Sequence, residues 1–521
     1  MNSVLVRRSF LRGVGAVGTT LLSEACASSD DSSNVSTPPS VFVHGVASGD
    51  PLPDAVILWT RVSTEDGTPT AVRWQLSTSP QFASIAREGT FDTSSERDFT
   101  VKVDATGLEP GTTYYYRFDA LGEQSPVGRT RTAPQGVTPR LRFAVCSCAS
   151  YAHGYFHSYR ALAQKPDLDA VVFLGDYIYE YGNGQYGNVR EYDPPHEILT
   201  IDDYRRRYAH YRRDADLQEV HRQHPFLAIW DDHEFANNAF SAGAENHTEG
   251  TEGSFAERKA VAAKVYQEWM PLREQAGGRI FRKLSYGDLA DLLLLDTRIW
   301  GRVEQLEKNS SAPAIDDPER TILGDAQEDW LATELAESKA QYKIVAQQLM
   351  MGQFKTFFNG DAWDGYPASR TRFFDIIENG AIDNVLVLTG DIHSSFCGEL
   401  TRDPAAMTYD PESGAGALAV EFVAPAVTSP GLPPALANAQ AGILKDNRQL
   451  KFVDMVHRGY LVLDVDTKRA QAAWFLFDDI VDPDRATETF AAAFSVASGS
   501  HHAVSDAEPA EGPTSSPTLA P

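Results

Sequence analysis

The stretch from Val385 to His393 reads VLVLTGDIH, a continuous apolar run that ends in Thr-Gly, Asp and His. Three earlier stretches have the same form and end in Cys, Asp, His or Glu: LRFAVCSC at 141–148, VVFLGD at 171–176 and FLAIWDDHE at 226–234. Continuous apolar runs of this length are typical of strands buried on both faces of a sheet. In open α/β sheets, functional sites form beyond the carboxyl ends of the strands. The pattern therefore predicts that metal-ligand residue types from four strands converge.

A single Asp after a strand is a weak signal, because Asp often caps the helix that follows. Four such strand ends in one chain favour a shared site over four separate caps. An Asp directly after an apolar strand is also costly to bury unless it is paired or bound to a cation.

Amphipathic helical patterns alternate with the apolar runs across residues 139–496. They cover Tyr155–Gln164, Phe255–Arg273 and Ala326–Ala340. Continuous apolar strands separated by helices predict an α/β domain with buried sheets. This domain carries all four of the polar strand ends, so we interpret it as the catalytic domain.

Residues 41–135 show a different pattern, with short alternating runs between Gly-, Pro-, Asp- and Ser-rich turns. The runs are Ala55–Val62, Ala71–Ser77, Phe99–Asp104 and Thr113–Ala120. They predict a small all-β sandwich of fibronectin- or immunoglobulin-like type. At the other end of the chain, residues 497–521 are rich in Ser, Pro, Ala and Glu and are expected to be disordered.

Residues 1–27 are interpreted as an export signal, because Arg7-Arg8-Ser9-Phe10-Leu11-Arg12 is a twin-arginine pattern followed by a weakly apolar stretch. Residues 28–40 are rich in polar residues and suit a flexible tether. We expect export by the twin-arginine machinery to the periplasm or the extracellular space. The cleavage site stays open: Ala25-Cys26-Ala27 suits an ordinary signal peptidase, whereas lipidation of Cys26 would provide a membrane anchor.

The composition excludes several classes of protein. The 521 residues include 46 Lys and Arg against 72 Asp and Glu, a formal net charge of −26. Such a chain is a poor candidate for a general nucleic-acid or anionic-membrane surface. Four cysteines are too few for a disulfide-dense scaffold, and no apolar run is long enough for a transmembrane helix. A local metal cluster could still make the electrostatic potential positive in one pocket, which would then accept a phosphate-containing substrate.

The polar strand ends resemble the motifs of the calcineurin-like metallophosphoesterases. The counterparts are Gly175-Asp176, Asp231-Asp232-His233-Glu234 and Gly390-Asp391-Ile392-His393. The early Asp-x-His of common members is missing, and Cys148 stands near that place. Tyr179 follows Asp176 at the spacing of the purple acid phosphatases. These departures resemble the PhoD alkaline phosphatase family, and the resemblance runs from about Val41 to Asp479. Further matching stretches are HGVASGDP at 44–51, LDTR at 295–298, QQLM at 347–350, WDGY at 363–366 and RGY at 458–460.

The resemblance implies a four-layer catalytic fold, a β-sandwich flanked by helices, and a centre of one ferric and two calcium ions. Thiolate and phenolate donors favour a trivalent ion, and calcium prefers several oxygen ligands. Carried over by position, the iron ligands would be Cys148, Asp176, Tyr179 and His393. Asp176 would bridge to calcium, whose other ligands would be Asp232, Asp391 and Asn238. Asn237 is nearly as eligible as Asn238, and Asp231 is either a further ligand or a supporting residue.

Two residues are candidates for catalysis without binding metal. His233 could hydrogen-bond to the reacting group or donate a proton to the leaving group, and a structural histidine fits equally well. Arg298 could bind the substrate phosphate through its planar fork, although a salt bridge to Asp296 or another carboxylate fits too. The polar insertions Asn183–Asp202 and Gly243–Gly253 are expected to control access to the site.

These residues together predict an exported phosphoesterase that acts on phosphomonoesters, phosphodiesters or both. A water or oxide activated by the metal ions would attack phosphorus in line, and phosphate scavenging would be the biological use. A phospholipase D-type phosphodiesterase is the alternative within this class. A serine-dependent phosphatase using Ser147 or Ser394 and a non-catalytic calcium-binding surface protein are the distant alternatives.

Overall fold

The computed structural model describes residues 41–64, 67–306, 312–354 and 358–521. The predicted signal, the predicted tether and Cys26 lie outside the described residues. The described strands are β1 (Val46–Leu52), β2 (Ala55–Arg61), β3 (Thr70–Ser77), β4 (Arg87–Thr93), β5 (Thr100–Thr106), β6 (Thr113–Ala120), β7 (Glu123–Gln124), β8 (Gly128–Arg131), β9 (Arg140–Cys146), β10 (Ala170–Phe173), β11 (Pro225–Ala228), β12 (Arg282–Tyr286), β13 (Ala290–Leu294), β14 (Tyr342–Gln347), β15 (Val385–Thr389), β16 (Ser395–Thr401), β17 (Ala417–Val423), β18 (Leu450–Asp454), β19 (Arg458–Asp466), β20 (Arg469–Phe477), β21 (Glu488–Ala497) and β22 (Ala503–Asp506). The described α-helices are α1 (His157–Ala163), α2 (Ile201–Tyr211), α3 (Ala215–Gln223), α4 (Phe255–Trp269), α5 (Ala312–Ile315), α6 (Asp325–Glu337), α7 (Pro367–Asn379) and α8 (Ala439–Asp446).

One large sheet has ten strands in the order β22-β21-β20-β19-β9-β10-β11-β1-β2-β5. Its central strands β9, β10, β11 and β1 are parallel, whereas β19 pairs antiparallel with β9. Three of the four apolar runs that lead to polar residues are thus neighbours in this sheet. Their carboxyl ends lie at the same edge, as the sequence pattern predicted.

A second large sheet has seven strands in the order β12-β13-β14-β15-β17-β16-β18. Strands β13, β14, β15 and β17 are parallel, and the fourth apolar run forms β15. The two sheets share one hydrophobic core, which includes Val145 and Val172 of the first sheet and Ile344 and Leu386 of the second. The polar ends of both sheets are therefore held close together.

Helices cover the outer faces of both sheets. Tyr159 of α1 and Val220 of α3 belong to the core shared by the sheets, and Leu331 of α6 and Phe373 of α7 pack against the far side of the second sheet. The order of layers is helix, sheet, sheet and helix. This arrangement confirms the predicted α/β fold class with a β-sandwich flanked by helices.

The N-terminal segment is all-β, as predicted, but it is not separate from the catalytic sheet. Strands β3, β4, β6 and β7 form a five-stranded sheet together with β8, whereas β1, β2 and β5 continue the ten-stranded sheet. β1 pairs with β11 in register Ser48↔Pro225. Gly49 permits this pairing, because a Cβ there would lie 2.7 Å from the carbonyl oxygen of Phe226, its partner in β11, and 2.0 Å from that of Pro271. Alternating hydrophobicity predicts strands without identifying their partners, so the pairing of β1 with β11 could not be predicted from the sequence.

The prediction of disorder for residues 497–521 is wrong. β22 pairs antiparallel with β21, which itself pairs along β20. Farther along, the N–H of Ala510 donates to Gln471, and the N–H of Ala520 donates to Gln223. Backbone pairing orders this segment, although its composition offers few apolar side chains for a sequence-based prediction. Within the described ranges, no helix combines the length and the apolarity needed to cross a membrane.

Helix α2 shows how local sequence supports the site. Thr200 caps the helix and forms a reciprocal capping box with Asp203. The helix presents Arg207, which is fully buried and donates to the carbonyl oxygen of Tyr179. A buried guanidinium that satisfies a main-chain carbonyl fixes the segment carrying that residue. Tyr179 is thereby held in place by a helix that lies outside the two sheets.

Candidate metal centre

The polar strand ends meet in three overlapping groups of possible ligands. The groups are Cys148 with Asp176 and His393, Asp176 with Asp232 and His233, and Asp231 with Asp232 and Asp391. Within each group, the ligand atoms lie within 4.8 Å of one another. Side chains that come from four strands of two sheets therefore form one continuous centre, and Asp176 belongs to two of its groups.

The backbone at these positions is unusual. Five of the seven predicted metal ligands adopt positive φ angles: Cys148 at 59°, Asp176 at 57°, Asn238 at 54°, Asp391 at 59° and His393 at 55°. Non-glycine residues in this region are uncommon, and they concentrate at functional sites where surrounding structure holds them. Gly175 is required between two of these loops, because a Cβ there would lie 2.5 Å from Cβ of Asp231.

Around Cys148, the donor atoms suit a trivalent ion. The hydroxyl of Tyr179 donates to Oδ2 of Asp176 across 2.8 Å and lies 3.4 Å from Nε2 of His393. Nδ1 of His393 is 3.0 Å from the carbonyl oxygen of Pro430 and must donate to it, so Nε2 carries the lone pair. Thiol, phenol, carboxylate and imidazole thus face one point, and the residues present fit a ferric ion.

Burial keeps the thiol of Cys148 and the phenol of Tyr179 protonated in the absence of a cation. It raises the pKa of the Cys148 thiol, and the neighbouring carboxylate of Asp176 adds to the shift. Burial likewise raises the pKa of the Tyr179 phenol and raises the pKa of Asp176 to about 6. A bound cation would displace these protons, because thiolate, phenolate and carboxylate are the forms that bind metal.

The neighbouring group is rich in carboxylates. Asp231, Asp232 and Asp391 are each at most 2% exposed. Burial raises the pKa of Asp231 well above its usual range, although the charge of Arg298 opposes the shift. Asp231 Oδ2 has no hydrogen-bond partner among the described residues. Several buried carboxylate oxygens in one place fit a calcium site.

Arg298 lies inside the carboxylate group. Its guanidinium is fully buried, and it contacts Asp231 across 2.5 Å, Asp361 across 2.8 Å and Asp391 across 3.0 Å. Asp296, the partner considered from the sequence, accepts the backbone N–H groups of Arg298 and Ile299, and the ion pairs of the described residues do not include one between Asp296 and the guanidinium. The contacts therefore favour the salt-bridge interpretation of Arg298, with other carboxylates than Asp296.

Both candidate asparagines border this centre. The N–H of Asn238 donates to Oδ2 of Asp232 across 2.6 Å, and its side-chain amide donates to Glu245. The N–H of Asn237 donates to Glu180 across 2.9 Å, and its amide also reaches Glu245, across 3.2 Å. Asn238 is the one linked to a predicted metal ligand, and this contact favours it over Asn237.

His233 packs against the ring of Tyr179, with ring centroids 4.2 Å apart. Its Nδ1 lies 2.6 Å from Oε2 of Glu180. Burial lowers the pKa of His233, but the carboxylates of Glu180, Asp176 and Asp232 outweigh it and raise the pKa to about 9. In the absence of cations these carboxylates favour the imidazolium form of His233, and the structure brings it to the edge of the metal group.

Three residues that support the site received no role from the sequence, although the quoted motifs include Glu234 and Gln348. Glu180 follows Tyr179 and lies four residues beyond Asp176, the polar residue at the end of that apolar run. Glu234 accepts backbone N–H groups of Asp176 across 3.0 Å, Tyr177 across 2.5 Å and Asp231 across 2.7 Å, and it ties two ligand loops together. Gln348 donates to the carbonyl oxygens of Trp230 and Leu295 and accepts from Thr297. The dense run of polar residues at 231–234 was the available signal for Glu234.

The polar insertions both reach the site. Tyr186 of the first packs against Tyr179, with centroids 5.3 Å apart. Asn246 of the second donates to Oε1 of Glu180 across 2.9 Å, and Glu245 binds Asn238. Cys146 and Cys397 are fully buried, and their thiols are free.

Comparison with known proteins agrees with this geometry. The family profile "PhoD-like phosphatase" matches residues 143–474, and "PhoD-like phosphatase, N-terminal domain" matches residues 25–134. This chain belongs to the PhoD-like phosphatase family. It is 36% identical to alkaline phosphatase D of Bacillus subtilis (strain 168) over 519 residues, which cover 94% of this chain and 87% of that relative.

Two solved structures are similar in fold to this PhoD-like chain. A structure of PhoD superposes with a TM-score of 0.83 at 34% identity and covers 94% of both chains. The purple acid phosphatase PPD1 from yellow lupin seeds superposes with a TM-score of 0.52 at 12% identity, over 87% of this chain and 73% of that one. The second match concerns the fold alone. The resemblance inferred from the motifs and the metallophosphoesterase fold are both confirmed.

Proposed function

We propose that this protein is a metal-dependent phosphoric ester hydrolase whose reaction takes place where the ends of the two sheets meet. The observation that carries this proposal is the buried excess of acid: Asp231, Asp232 and Asp391 contact the guanidinium of Arg298, and Asp176 lies beside Asp232. Buried carboxylates in such excess require cations or protons. Cations bound there would create a positive pocket for phosphate in a chain whose net charge is −26.

The donor atoms support a division of the centre between two kinds of metal. Cys148, Asp176, Tyr179 and His393 would hold Fe³⁺. Asp176, Asp232, Asp391 and Asn238 would hold two Ca²⁺ ions. When bound, such ions neutralise charge on the phosphoryl oxygens and lower the pKa of water.

The chain's own residues would orient the ester and supply a proton. Glu180 holds the imidazolium of His233 by Nδ1, which leaves Nε2 as the free donor. We assign to His233 the donation of that proton to the leaving-group oxygen. Proton transfer by a positioned acid contributes about 10²–10⁴-fold in rate.

Arg298 would balance charge in the centre instead of binding the substrate phosphate. Its three close carboxylate contacts occupy the guanidinium fork, and the side chain has no exposed surface. A phosphate that approached it would have to displace a carboxylate. This assignment replaces the phosphate-binding role considered for Arg298 from the sequence.

The substrates would be phosphomonoesters, phosphodiesters or both, including the diesters cut by phospholipase D-type enzymes. The twin-arginine pattern at Arg7-Arg8 supports export, and release of phosphate outside the cytoplasm would serve scavenging. A non-catalytic calcium-binding surface protein is disfavoured, because such a protein has no need of the thiol, phenol and imidazole that face one point.

The test combines metal analysis with turnover. The full chain, purified after export from a host supplied with iron and calcium, is analysed by elemental mass spectrometry and assayed with 4-nitrophenyl phosphate and bis(4-nitrophenyl) phosphate. We expect about one iron per chain, more calcium than iron, and hydrolysis that chelators abolish. Zinc or manganese without iron would remove the roles assigned to Cys148 and Tyr179. Protein that stays metal-free and inactive after reconstitution would overturn the proposed function.

A further inference from the structure

A second arginine lies beside the metal centre, on the far side of His393. Arg458 begins β19, and its side chain reaches the loop of Pro430, whose carbonyl oxygen binds Nδ1 of His393. A Cβ placed on Gly431 would lie 3.0 Å from Nη1 of Arg458 and 3.0 Å from the carbonyl oxygen of His393. Only Gly431 therefore lies between the guanidinium of Arg458 and the backbone of His393, a predicted iron ligand.

The hydrogen bonds of Arg458 leave most of its donors available. Nη1 donates to the carbonyl oxygen of Val456, and Nε is buried without a partner among the described residues. None of the ion pairs found in the described ranges includes Arg458. Asp454, an acidic neighbour, is engaged by Nδ1 of His457 across 2.8 Å and by two backbone N–H groups. Asp454 is near enough to act on the charge of Arg458 but forms no ion pair with it in the described residues, so this largely buried cation favours a further anion.

Arg458 and Arg298 differ in their carboxylate contacts and in their exposure to solvent. Arg298 is fully buried and contacts several aspartates, whereas Arg458 is partly exposed. Its other ionisable neighbour is Tyr186, the insertion residue whose ring packs on Tyr179, a predicted metal ligand. Arg458 is thus the cation that a substrate can approach.

We propose that Arg458 is a specificity residue that binds a second anionic group of the substrate, one other than the phosphoryl group that reacts. The reacting group belongs with the carboxylate and thiol ligands, and His393 separates those ligands from Arg458. The substrate class is therefore a phosphoric ester that also carries a carboxylate or another phosphate. This proposal rests on the proposed phosphoesterase function.

The test uses two substrates that differ in one charge, glycerol 3-phosphate and 3-phosphoglycerate, with Arg458→Gln and Arg458→Lys. We expect Arg458→Gln to lower kcat/KM for 3-phosphoglycerate at least about tenfold, mainly through KM, and to change that for glycerol 3-phosphate less than about twofold. Arg458→Lys should recover part of the loss, since it keeps the charge. Arg402→Gln is the matched control, because it removes the same charge from an exposed arginine paired with Asp375 and Glu378.

The outcomes separate this proposal from the function on which it rests. Equal losses on both substrates, or no loss on either, would overturn the role of Arg458 while the phosphoesterase stands. Wild-type protein that hydrolyses glycerol 3-phosphate but not 3-phosphoglycerate would also overturn it. Wild-type protein that is loaded with metal and hydrolyses no ester would overturn both proposals. Iron content and the unfolding midpoint of each variant show whether a loss of activity reflects folding.

Discussion

Oε2 of Glu180 lies 2.6 Å from Nδ1 of His233, and both side chains are buried beside the predicted metal ligands. Glu180 also accepts the backbone N–H of Asn237 and the side-chain amide of Asn246. One carboxylate thereby fixes the imidazole, the loop after it and the second polar insertion. The charge of His233 and its orientation both depend on this contact.

Replacement of Glu180 by Gln should therefore impair proton donation by His233. We expect Glu180→Gln to lower kcat about 10²-fold or more for an alkyl phosphate, whose leaving group needs a proton. The loss with 4-nitrophenyl phosphate should be much smaller, because nitrophenolate leaves without protonation. Rates measured on both substrates check this, and His233→Asn should show the same contrast. Equal losses on the two substrates would mean that Glu180 acts only through folding.

Replacement of Tyr179 by Phe should remove one iron donor while keeping the packing of the ring. A phenolate bound to Fe³⁺ gives a visible charge-transfer absorption, which we expect in the wild-type protein and not in Tyr179→Phe. Elemental analysis on the same samples should show less iron and unchanged calcium. Tyr181→Phe is the matched control, since Tyr181 is a neighbouring tyrosine that packs near His233. A variant that keeps the absorption would exclude Tyr179 as the donor.

Replacement of Arg298 by Met should destabilise the protein, because it leaves several buried carboxylates without their cation. Removal of one partner from a buried ion pair costs about 3–5 kcal/mol. We expect a loss of this order in the free energy of unfolding of metal-depleted protein, with partial recovery on addition of calcium. Denaturant unfolding with and without calcium measures both effects. Normal stability with a raised KM would instead support a substrate-binding role for Arg298.

Two buried histidines should make the protein lose stability in mild acid. Burial, with Arg61 as a further cause, lowers the pKa of His44 to about 2, and burial lowers the pKa of His224 to about 3. Below a pH of about 6.5 the unfolded chain binds these protons while the folded chain does not. The free energy of unfolding therefore decreases as the pH is lowered. Each group contributes up to about 1.4 kcal/mol per pH unit in this window, and nothing above it.

Unfolding free energies measured at pH 7.5, 6.0 and 5.0 check this expectation. His44→Gln should reduce the slope below pH 6.5, whereas substitution of the exposed His457 by Gln should leave it unchanged. The buried carboxylates with raised pKa values, such as Asp176, act in the opposite direction, because the folded chain binds their protons more tightly than the unfolded chain does, so the difference between the two variants is the diagnostic quantity. An identical slope in both variants would contradict the assignment to His44.

The sequence by itself determined much of the site. Four apolar runs that end in Cys, Asp or His predicted buried parallel strands, and strands of this kind place their carboxyl ends along one edge. The ligand groups around Asp176 and Asp391 are where that rule puts them. The spacing of Tyr179 after Asp176 and the presence of Cys148 also sufficed to indicate the family. These features are local, so a linear pattern can carry them.

Only the tertiary structure decided which partners these residues have. Arg298 could be placed near the site from the sequence, but its contacts with Asp231 and Asp391 depend on how two sheets face each other. Glu180 and Arg458 became visible only through neighbours far away in the chain. The continuation of β1 into the catalytic sheet and the ordered segment after Ala497 depend on backbone pairing, which is almost independent of side-chain identity. Long-range pairing and buried charge balance arise from packing, and no local pattern encodes them.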